Sequence, residues 1–541
     1  MRLRKRWLFI AHRWMGIVLC LFMALWFVSG VVMMYVGYPK LTPLERLVHL
    51  PDLALPVACC VSPQRALDAV PENARAGPAG EARGMRGDAG QPEIKLAMIG
   101  ARPYWLVTEG RRAQTAIDAT TGEAATHFDA AHALDVSSRY APGSTPRLVD
   151  TVQQDLFTVS RALDPHRPLY LVALDDGEGT ELYVSPRTGE VVRESTRMER
   201  GWNYLGSILH WIYPLKGELF DKWRSDIIIY LSLAGTVLSL AGIWVGVLRW
   251  RFDGRYASGS RSPYRGGWMR WHHLTGLAFG LVTLLWIFSG LMSMNPWKIF
   301  ESRGAKPDAR ALAGLALDRA QFALTPQQAI ARAGFPVREL AVRLFDGRPY
   351  YTLHAGNGIT RAITADHADS LPFERFPEAA LIAAAARLMP GHGIARATRL
   401  DQYDNYYYDR RPHTMGGHIE RRLPVLRIEF DDPGHTWVHL DPYTSGIHSR
   451  TDDLGRVKRW LFNFLHSWDL RGFIDQRPLW DVSLILLSLG GFVLCLSGTV
   501  IGWRRLRRDG RAGARLPMVG KQPWRVAQGG QDPPYRVARP L

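Results

Sequence analysis

The chain has 541 residues, 47% of them hydrophobic, and carries 67 Lys and Arg against 50 Asp and Glu, a formal net charge of +17. That length is too great for one domain. The positive charge gathers in three clusters beside long apolar runs, which argues against nucleic acid as the partner and for a lipid bilayer.

Arg2, Arg4, Lys5 and Arg6 open the chain and lead into the uncharged run Gly16–Val36. Ile227–Val247, Leu274–Met294 and Val482–Trp503 are of the same kind, each 21 or 22 residues without a charged side chain. A bilayer core ~30 Å thick needs about 20 helical residues, so each run predicts a membrane span. The first resembles a signal peptide but is too long for its apolar core, lacks a clear small-x-small cleavage site and has an internal counterpart, so it is retained. The second basic cluster, Arg249, Arg251, Arg255, Arg261, Arg265 and Arg270, lies between spans two and three. The third, Arg504, Arg505, Arg507 and Arg508, follows span four. The positive-inside rule puts all three clusters and both termini in the cytoplasm.

This topology divides the chain into a cytoplasmic start and first span (1–36), an exterior domain with an interfacial helix (37–220), a second span (221–250) and a basic cytoplasmic loop (251–271). A third span (272–294), a second exterior domain with its own interfacial helix (295–475), a fourth span (476–504) and a basic tail (505–541) complete it. In a bacterium the exterior is the periplasm and the membrane the inner one.

Both exterior segments carry strand and turn signals. In the first, Arg102-Pro103-Tyr104-Trp105-Leu106-Val107 precedes Ala116–Glu123, and Glu181–Val184 runs into Ser185–Glu190. In the second, Arg348–Leu353 and Thr436–Pro442 repeat the theme. Alternating apolar and β-branched residues that end in Asp/Pro-x-Thr-Gly predict strands entering turns. With helices expected at Thr325–Ala333 and Pro377–Leu388, these are α+β domains. The Gly/Ala/Arg-rich segment 71–92 and the tail after Arg508 read as mobile. Cys20 and Cys495 fall within spans, and the exterior pair Cys59-Cys60 is either a disulfide or two thiols.

The spans carry an internal repeat. Ala11-His12-Arg13-Trp14-Met15-Gly16 and Trp26-Phe27-Val28-Ser29-Gly30 match Trp271-His272-His273-Leu274-Thr275-Gly276 and Trp286-Ile287-Phe288-Ser289-Gly290 at a displacement of 260. Leu209-His210 matches Leu465-His466 at 256, with Gly235, Gly242 and Gly246 onto Gly491, Gly498 and Gly502. Because both copies start inside, the repeats are parallel, related by an axis along the membrane normal. His12 and His272 lie where spans one and three leave the cytoplasm. His210 and His466 lie on the exterior side, in short helices around Trp202–Tyr213 and Val457–Trp468. Matched imidazoles on helices from two repeats suit bis-histidine ligation of haem iron. The pairs therefore predict two b-type haems, one near each membrane face, and no Cys-x-x-Cys-His supports covalent attachment. Lone interfacial histidines are the plain alternative, and His273 competes with His272, since one residue is ~100° around a helix.

The strand-turn motifs resemble PepSY domains, and the arrangement around the spans resembles the PepSY-associated transmembrane family. The most specific part is Leu423–Pro433 together with Arg459-Trp460-Leu461-Phe462-Asn463-Phe464-Leu465-His466-Ser467, within a resemblance covering about residues 1–508. It implies a bacterial inner-membrane protein with two PepSY-like periplasmic domains. Some members resemble ferric-siderophore reductases that carry haem b, and some fuse a flavin reductase at the C-terminus. Here about 38 residues follow span four and no Gly-x-Gly-x-x-Gly occurs, so a separate cytoplasmic donor, or quinol, would bring electrons to a periplasmic ferric chelate.

Other candidates carry two readings each. The repeat-matched glycines suit close helix packing or room for a macrocycle. Trp14, Trp26, Trp271 and Trp286 suit a membrane belt or core better than an electron relay. Arg13 and Arg270 suit lipid phosphate better than haem propionates. Tyr406-Tyr407-Tyr408 with Asp404, Asp409, Arg410, Arg411 and His413 is a structured loop or a docking site for a ferric chelate, whereas His435, His439 and His448 are expected at the surface. Two rival functions remain: a non-enzymatic periplasmic binding or peptidase-regulating PepSY protein, and a transporter, which the lack of acidic residues in the spans disfavours.

Overall fold

A computed structural model describes residues 2–513 apart from 58, 72–91, 110–112, 216–220, 303, 305 and 418. The segment expected to be mobile at 71–92 falls almost wholly outside the described residues. So does the chain beyond 513, although the last span continues as helix past Arg508 to Gly513.

Four helices, M1 (Arg2–Tyr35), M2 (Asp221–Arg249), M3 (Gly267–Ser293) and M4 (Leu479–Gly513), contain the four uncharged runs and are long and apolar enough to cross a membrane. A helix closes its own backbone hydrogen bonds, the condition for spanning a hydrocarbon layer. They form a bundle in which M1 lies between M2 and M4, and M3 closes the ring opposite it. Large apolar side chains such as Val18, Leu21, Tyr230, Trp244, Leu281 and Leu486 point outward, as they do when the surrounding solvent is lipid. Inside, Leu19, Cys20, Met23, Ala24, Phe27, Leu238, Ile287 and Cys495 form one cluster. Glycines set the closest approaches: Gly491 faces the Phe27 ring, Gly246 faces Leu277 and Gly502 faces Ile17.

Fourteen strands among the described residues build three antiparallel sheets beyond the end of M1. The central sheet has the order β10-β9-β8-β1-β2-β3. Its strands are β1 (Glu93–Ile99), β2 (Arg102–Glu109) and β3 (Ala113–Asp118) from the segment between M1 and M2, with β8 (Glu339–Phe345), β9 (Arg348–His354) and β10 (Thr360–Thr364) from the segment between M3 and M4. Each segment also keeps a sheet of its own. One holds β4 (Pro146–Val152), β5 (Leu169–Leu174), β6 (Glu181–Val184) and β7 (Val191–Ser195). The other holds β11 (Ile394–Leu400), β12 (Val425–Phe430), β13 (Trp437–Leu440) and β14 (Ile447–Thr451).

The segments meet where β1 pairs with β8, Ile94 opposite Val342 and Leu96 opposite Leu340. Leu96, Trp105, Leu340 and Tyr351 lie fully buried in the shared core. Arg46, in the helix Pro43–His49, ties the sheets together through Glu190 at 2.9 Å and Glu339 at 2.6 Å. Cys59 and Cys60 are joined in a disulfide at the edge of the same core.

Strands β7 and β14 lead directly into the helices Arg197–Asn203 and Asp453–Lys458, whose N-termini are capped by Thr196 and Asp452. Each continues into a π-helical turn, Tyr204–Ile208 and Arg459–Phe464, so the two short helices expected from sequence are longer and wider-wound than simple α-helices. The first turn sits against M1 at Gly206, where a Cβ would come within 3.0 Å of Val32. His210 and His466 follow these turns.

Candidate cofactor site: two histidine pairs

His12 on M1 faces His272 on M3, and His210 faces His466 just before M2 and M4. In both pairs the ring centroids are 6.1 Å apart, with interplanar angles of 36° for the first and 74° for the second. An ion between two opposed imidazoles, with metal–nitrogen bonds of ~2 Å, sets the ring centroids about 6 Å apart. His12 and Ser29 are 17 residues apart on M1, as are His272 and Ser289 on M3. At ~1.5 Å per residue the pairs are therefore separated by about 25 Å along the bundle. The first lies at the end carrying the basic clusters, the second at the end carrying the sheets.

Serines orient three of the four rings. Ser29 Oγ is 2.8 Å from the Leu25 carbonyl and 3.2 Å from that of Trp26, so its proton is committed to the M1 backbone. At 2.9 Å from His210 Nδ1 the hydroxyl therefore accepts, and Nδ1 carries the hydrogen. Ser289 repeats the arrangement on M3, donating to Trp286 O at 2.8 Å and accepting from His466 Nδ1 at 3.0 Å. Ser497 on M4 donates to Leu494 O at 2.7 Å, and His272 Nδ1 reaches Ser497 Oγ at 3.1 Å and Leu494 O at 3.2 Å. In a neutral imidazole a hydrogen on Nδ1 places the lone pair on Nε2, the form in which a histidine ligates while its other nitrogen donates to a fixed acceptor. His12 lacks such a partner. Its ring interacts with the Leu238 backbone, but Nδ1 is buried without a hydrogen bond of ordinary geometry.

Space beside the rings is kept by glycine. A Cβ would come within 2.9 Å of His12 Cε1 at Gly242, 3.3 Å of His272 Cε1 at Gly498 and 3.7 Å of His210 Cε1 at Gly30, while at Gly290 it would meet nothing within 4 Å. Gly242 and Gly498 therefore bear on the histidines, whereas Gly246, Gly491 and Gly502 bear on helix packing.

His273 is not interchangeable with His272. It is 6% exposed, and both its nitrogens are engaged, Nδ1 with Ser262 Oγ at 2.8 Å and Nε2 with Gly246 O at 3.0 Å. Arg13 and Arg270 are exposed, the first over Trp14 and the second toward the Arg265 carbonyl, away from the pair between them. Trp14 and Trp271 face outward, while Trp26 donates to His210 O at 3.1 Å and Trp286 packs against Phe27 and Trp468.

The tyrosine-rich loop is largely committed to the fold. Tyr407 is fully buried, Tyr408 donates to Asp469, and Tyr406 Oη accepts from Trp460 Nε1 at 3.0 Å. Asp404 accepts from the backbone N–H of Tyr406 and Tyr407 and pairs with Arg427 at 2.7 Å. His413 lies between Glu45 and Glu199. Asp409 and Arg411 remain exposed and Arg410 half-buried. His439, expected at the surface, is instead 1% exposed. It stacks on Tyr407 and accepts from Arg427 Nε at 2.9 Å, because the tyrosine loop covers its face of β13. His435 is exposed and His448 half-buried.

Sequence reasoning missed the serines. Ser29 and Ser289 were visible as repeat-matched neighbours of glycine, but their bonds to histidines far along the chain were not. Ser497 gave no repeat signal, since its counterpart is Ala241.

The bundle and its sheets define a polytopic membrane protein with antiparallel α+β domains. The chain belongs to the family described as the PepSY-associated TM region, which matches residues 9–392. That match contains His12, His210 and His272; the Leu423–Pro433 and Arg459–Ser467 stretches, with His466, lie beyond it. No curated protein matches the chain.

Proposed function

We propose that this protein carries electrons across a bacterial inner membrane and reduces a periplasmic ferric chelate, such as a ferric siderophore. In this reading it holds two b-type haems, one between His12 and His272 near the cytoplasmic face and one between His210 and His466 near the periplasmic face. Both termini are cytoplasmic and the sheets periplasmic. The carrying observation is that two pairs of imidazoles, far apart in sequence, lie opposite one another at the same 6.1 Å centroid separation. Among the described residues no three His, Cys, Asp or Glu side chains gather as a metal cage. Two imidazoles alone would leave the rest of an iron's ligands to be supplied by a macrocycle.

A bis-histidine haem supplies one-electron transfer without an open coordination position. The chain's own residues do the rest. Ser29, Ser289 and Ser497 fix the donating tautomer of His210, His466 and His272. Gly30, Gly242 and Gly498 keep side chains away from the rings, and the apolar bundle interior excludes water. On the exterior side Arg410 and Arg411 offer positive charge to an anionic chelate, beside a loop anchored to Asp469, three residues from His466. The electron donor is a cytoplasmic carrier or quinol.

The test is a visible spectrum of detergent-purified protein, oxidised and dithionite-reduced, with pyridine haemochrome quantitation. A six-coordinate b-type spectrum near two haems per chain, halved by His12→Ala or His210→Ala, is expected. Colourless protein from cells with ample haem would overturn the proposal and favour a non-enzymatic periplasmic PepSY binding module.

A further inference from the structure

The two histidines of the inner pair are held unequally. His272 Nδ1 has Ser497 Oγ at 3.1 Å and Leu494 O at 3.2 Å. His12 Nδ1, in the facing ring, is buried and meets no hydroxyl among the described residues; the Leu238 backbone is its polar neighbour, outside ordinary hydrogen-bond geometry. Two features of the surroundings are matched. Gly498 stands against His272 Cε1 as Gly242 stands against His12 Cε1, and Leu494 corresponds to Leu238, whose backbone meets the His12 ring. The residue preceding each glycine differs: Ser497 in one case, Ala241 in the other. The Ser497 hydroxyl is the polar side-chain difference between the two environments, beside Cys20, whose Sγ stands against Gly498 and has no counterpart at Gly242.

We infer that Ala241 is a positioning residue through what it omits, leaving the tautomer and ring angle of His12 unset and making the inner site the more easily emptied of the two. The inference rests on the proposed haem ligation and adds which ligand is weak. An imidazole that donates Nδ1–H to a fixed acceptor holds its lone pair on Nε2 and is the stronger ligand. With only the Leu238 backbone beside it, off ordinary hydrogen-bond geometry, both tautomers are open to His12, and only one of them ligates through Nε2. A serine at 241, back-bonded to the Leu238 carbonyl as Ser497 is to Leu494, would supply it. The outer pair has serines on both sides, so the asymmetry is confined to the inner one.

Two measurements on the full-length chain test this. Haem transfer to excess apomyoglobin is expected to be biphasic, with the faster phase absent from His12→Ala. Ala241→Ser should slow that phase about tenfold and Ser497→Ala speed it about tenfold, the usual scale for removing or adding an outer-shell partner. The second measurement needs no haem: two-bond ¹⁵N–¹H couplings of ¹⁵N-histidine-labelled protein from a haem-deficient host, with His12 assigned by its loss in His12→Asn. His210, His272 and His466 should each show the Nδ1–H tautomer alone and His12 a mixture, which Ala241→Ser converts to Nδ1–H. A pure Nδ1–H signal for wild-type His12, or an Ala241→Ser variant unchanged in both measurements, overturns the inference. Absence of haem from every preparation overturns the functional proposal instead, and the couplings still decide the asymmetry.

Discussion

His413 shows how much one side chain does outside the membrane. Its imidazole sits between Glu199, at 3.3 Å, and Glu45, while its carbonyl accepts from Gly37 N, just after M1. The loop is thereby pinned both to the exit of M1 and to the helix that leads to His210. Hydrogen bonds to Glu199 and Glu45 outweigh burial and raise His413 from its ordinary 6.5 to about 9. Burial opposes ionisation of Glu45, but hydrogen bonds from His413 and Thr42 hold it down at about 2. The signs follow from linkage. Stabilisation from protonated His413 is complete below pH 6.5 and disappears as pH rises through about 9; that from Glu45 is complete above pH 4.5 and disappears as pH falls through about 2. The stability gap between wild type and His413→Gln, read by thermal unfolding, is therefore expected to be wide at pH 6 and to close by pH 10. A gap constant over that range would contradict the clamp. Nothing in the sequence around His413 distinguished these bonds from a surface loop, because both carboxylates come from distant segments.

At the scale of elements, helix position depends on a few absent side chains. A Cβ at Gly498 would stand 2.7 Å from Cys20 Sγ and 3.3 Å from His272 Cε1, whereas one at Gly16 would make only ordinary contact, 3.7 Å from Cys20 Sγ. Gly498→Val must push M4 away from M1 at the inner pair, while Gly16→Ala has room. Haemochrome assay is expected to give about one haem per chain for Gly498→Val, the outer one, and two for Gly16→Ala. Equal occupancy in the two variants would mean that M1 and M4 do not set the inner site. The glycine positions were legible as a repeat with two open roles, packing or space beside a ring, but which glycine serves which was not. Gly242 and Gly498 serve the histidines and Gly246 and Gly502 the packing, a division set by helix rotation. The π-helical turns before His210 and His466 were equally hidden, since one extra residue per turn leaves no mark in hydrophobic period.

Across the whole molecule, the segment between M1 and M2 and the segment between M3 and M4 act through one shared sheet. Arg46 is the ionic tie at its centre, against Glu190 and Glu339, each with 6% side-chain exposure. Arg46 and Lys95 overcome burial to hold Glu339 at about 2. Removing the cation strands two buried carboxylates, which costs about 3 kcal/mol or more, whereas neutralising a partner along with it costs less. Arg46→Met is therefore expected to lower the thermal unfolding midpoint substantially, and Arg46→Met with Glu339→Gln to recover part of the loss. An unchanged midpoint in the single variant would show that the tie does not hold the segments together.

Four uncharged runs, three basic clusters and a matched set of histidines were readable along the chain because length, charge and spacing are local properties. They were enough for four membrane helices, for α+β domains between them and for the family. Which residues meet across 100 or more positions was a different matter. The pairing of β1 with β8 across some 245 positions depends on how the chain closes on itself, and so, over shorter separations, do the burial of His439 beneath the tyrosine loop and the different surroundings of His272 and His273. So do the serine hydroxyls that set three imidazoles and, by its absence at position 241, leave the fourth unset. Such contacts follow from helix rotation, strand register and the direction of single hydrogen bonds, which residue identity and spacing leave open.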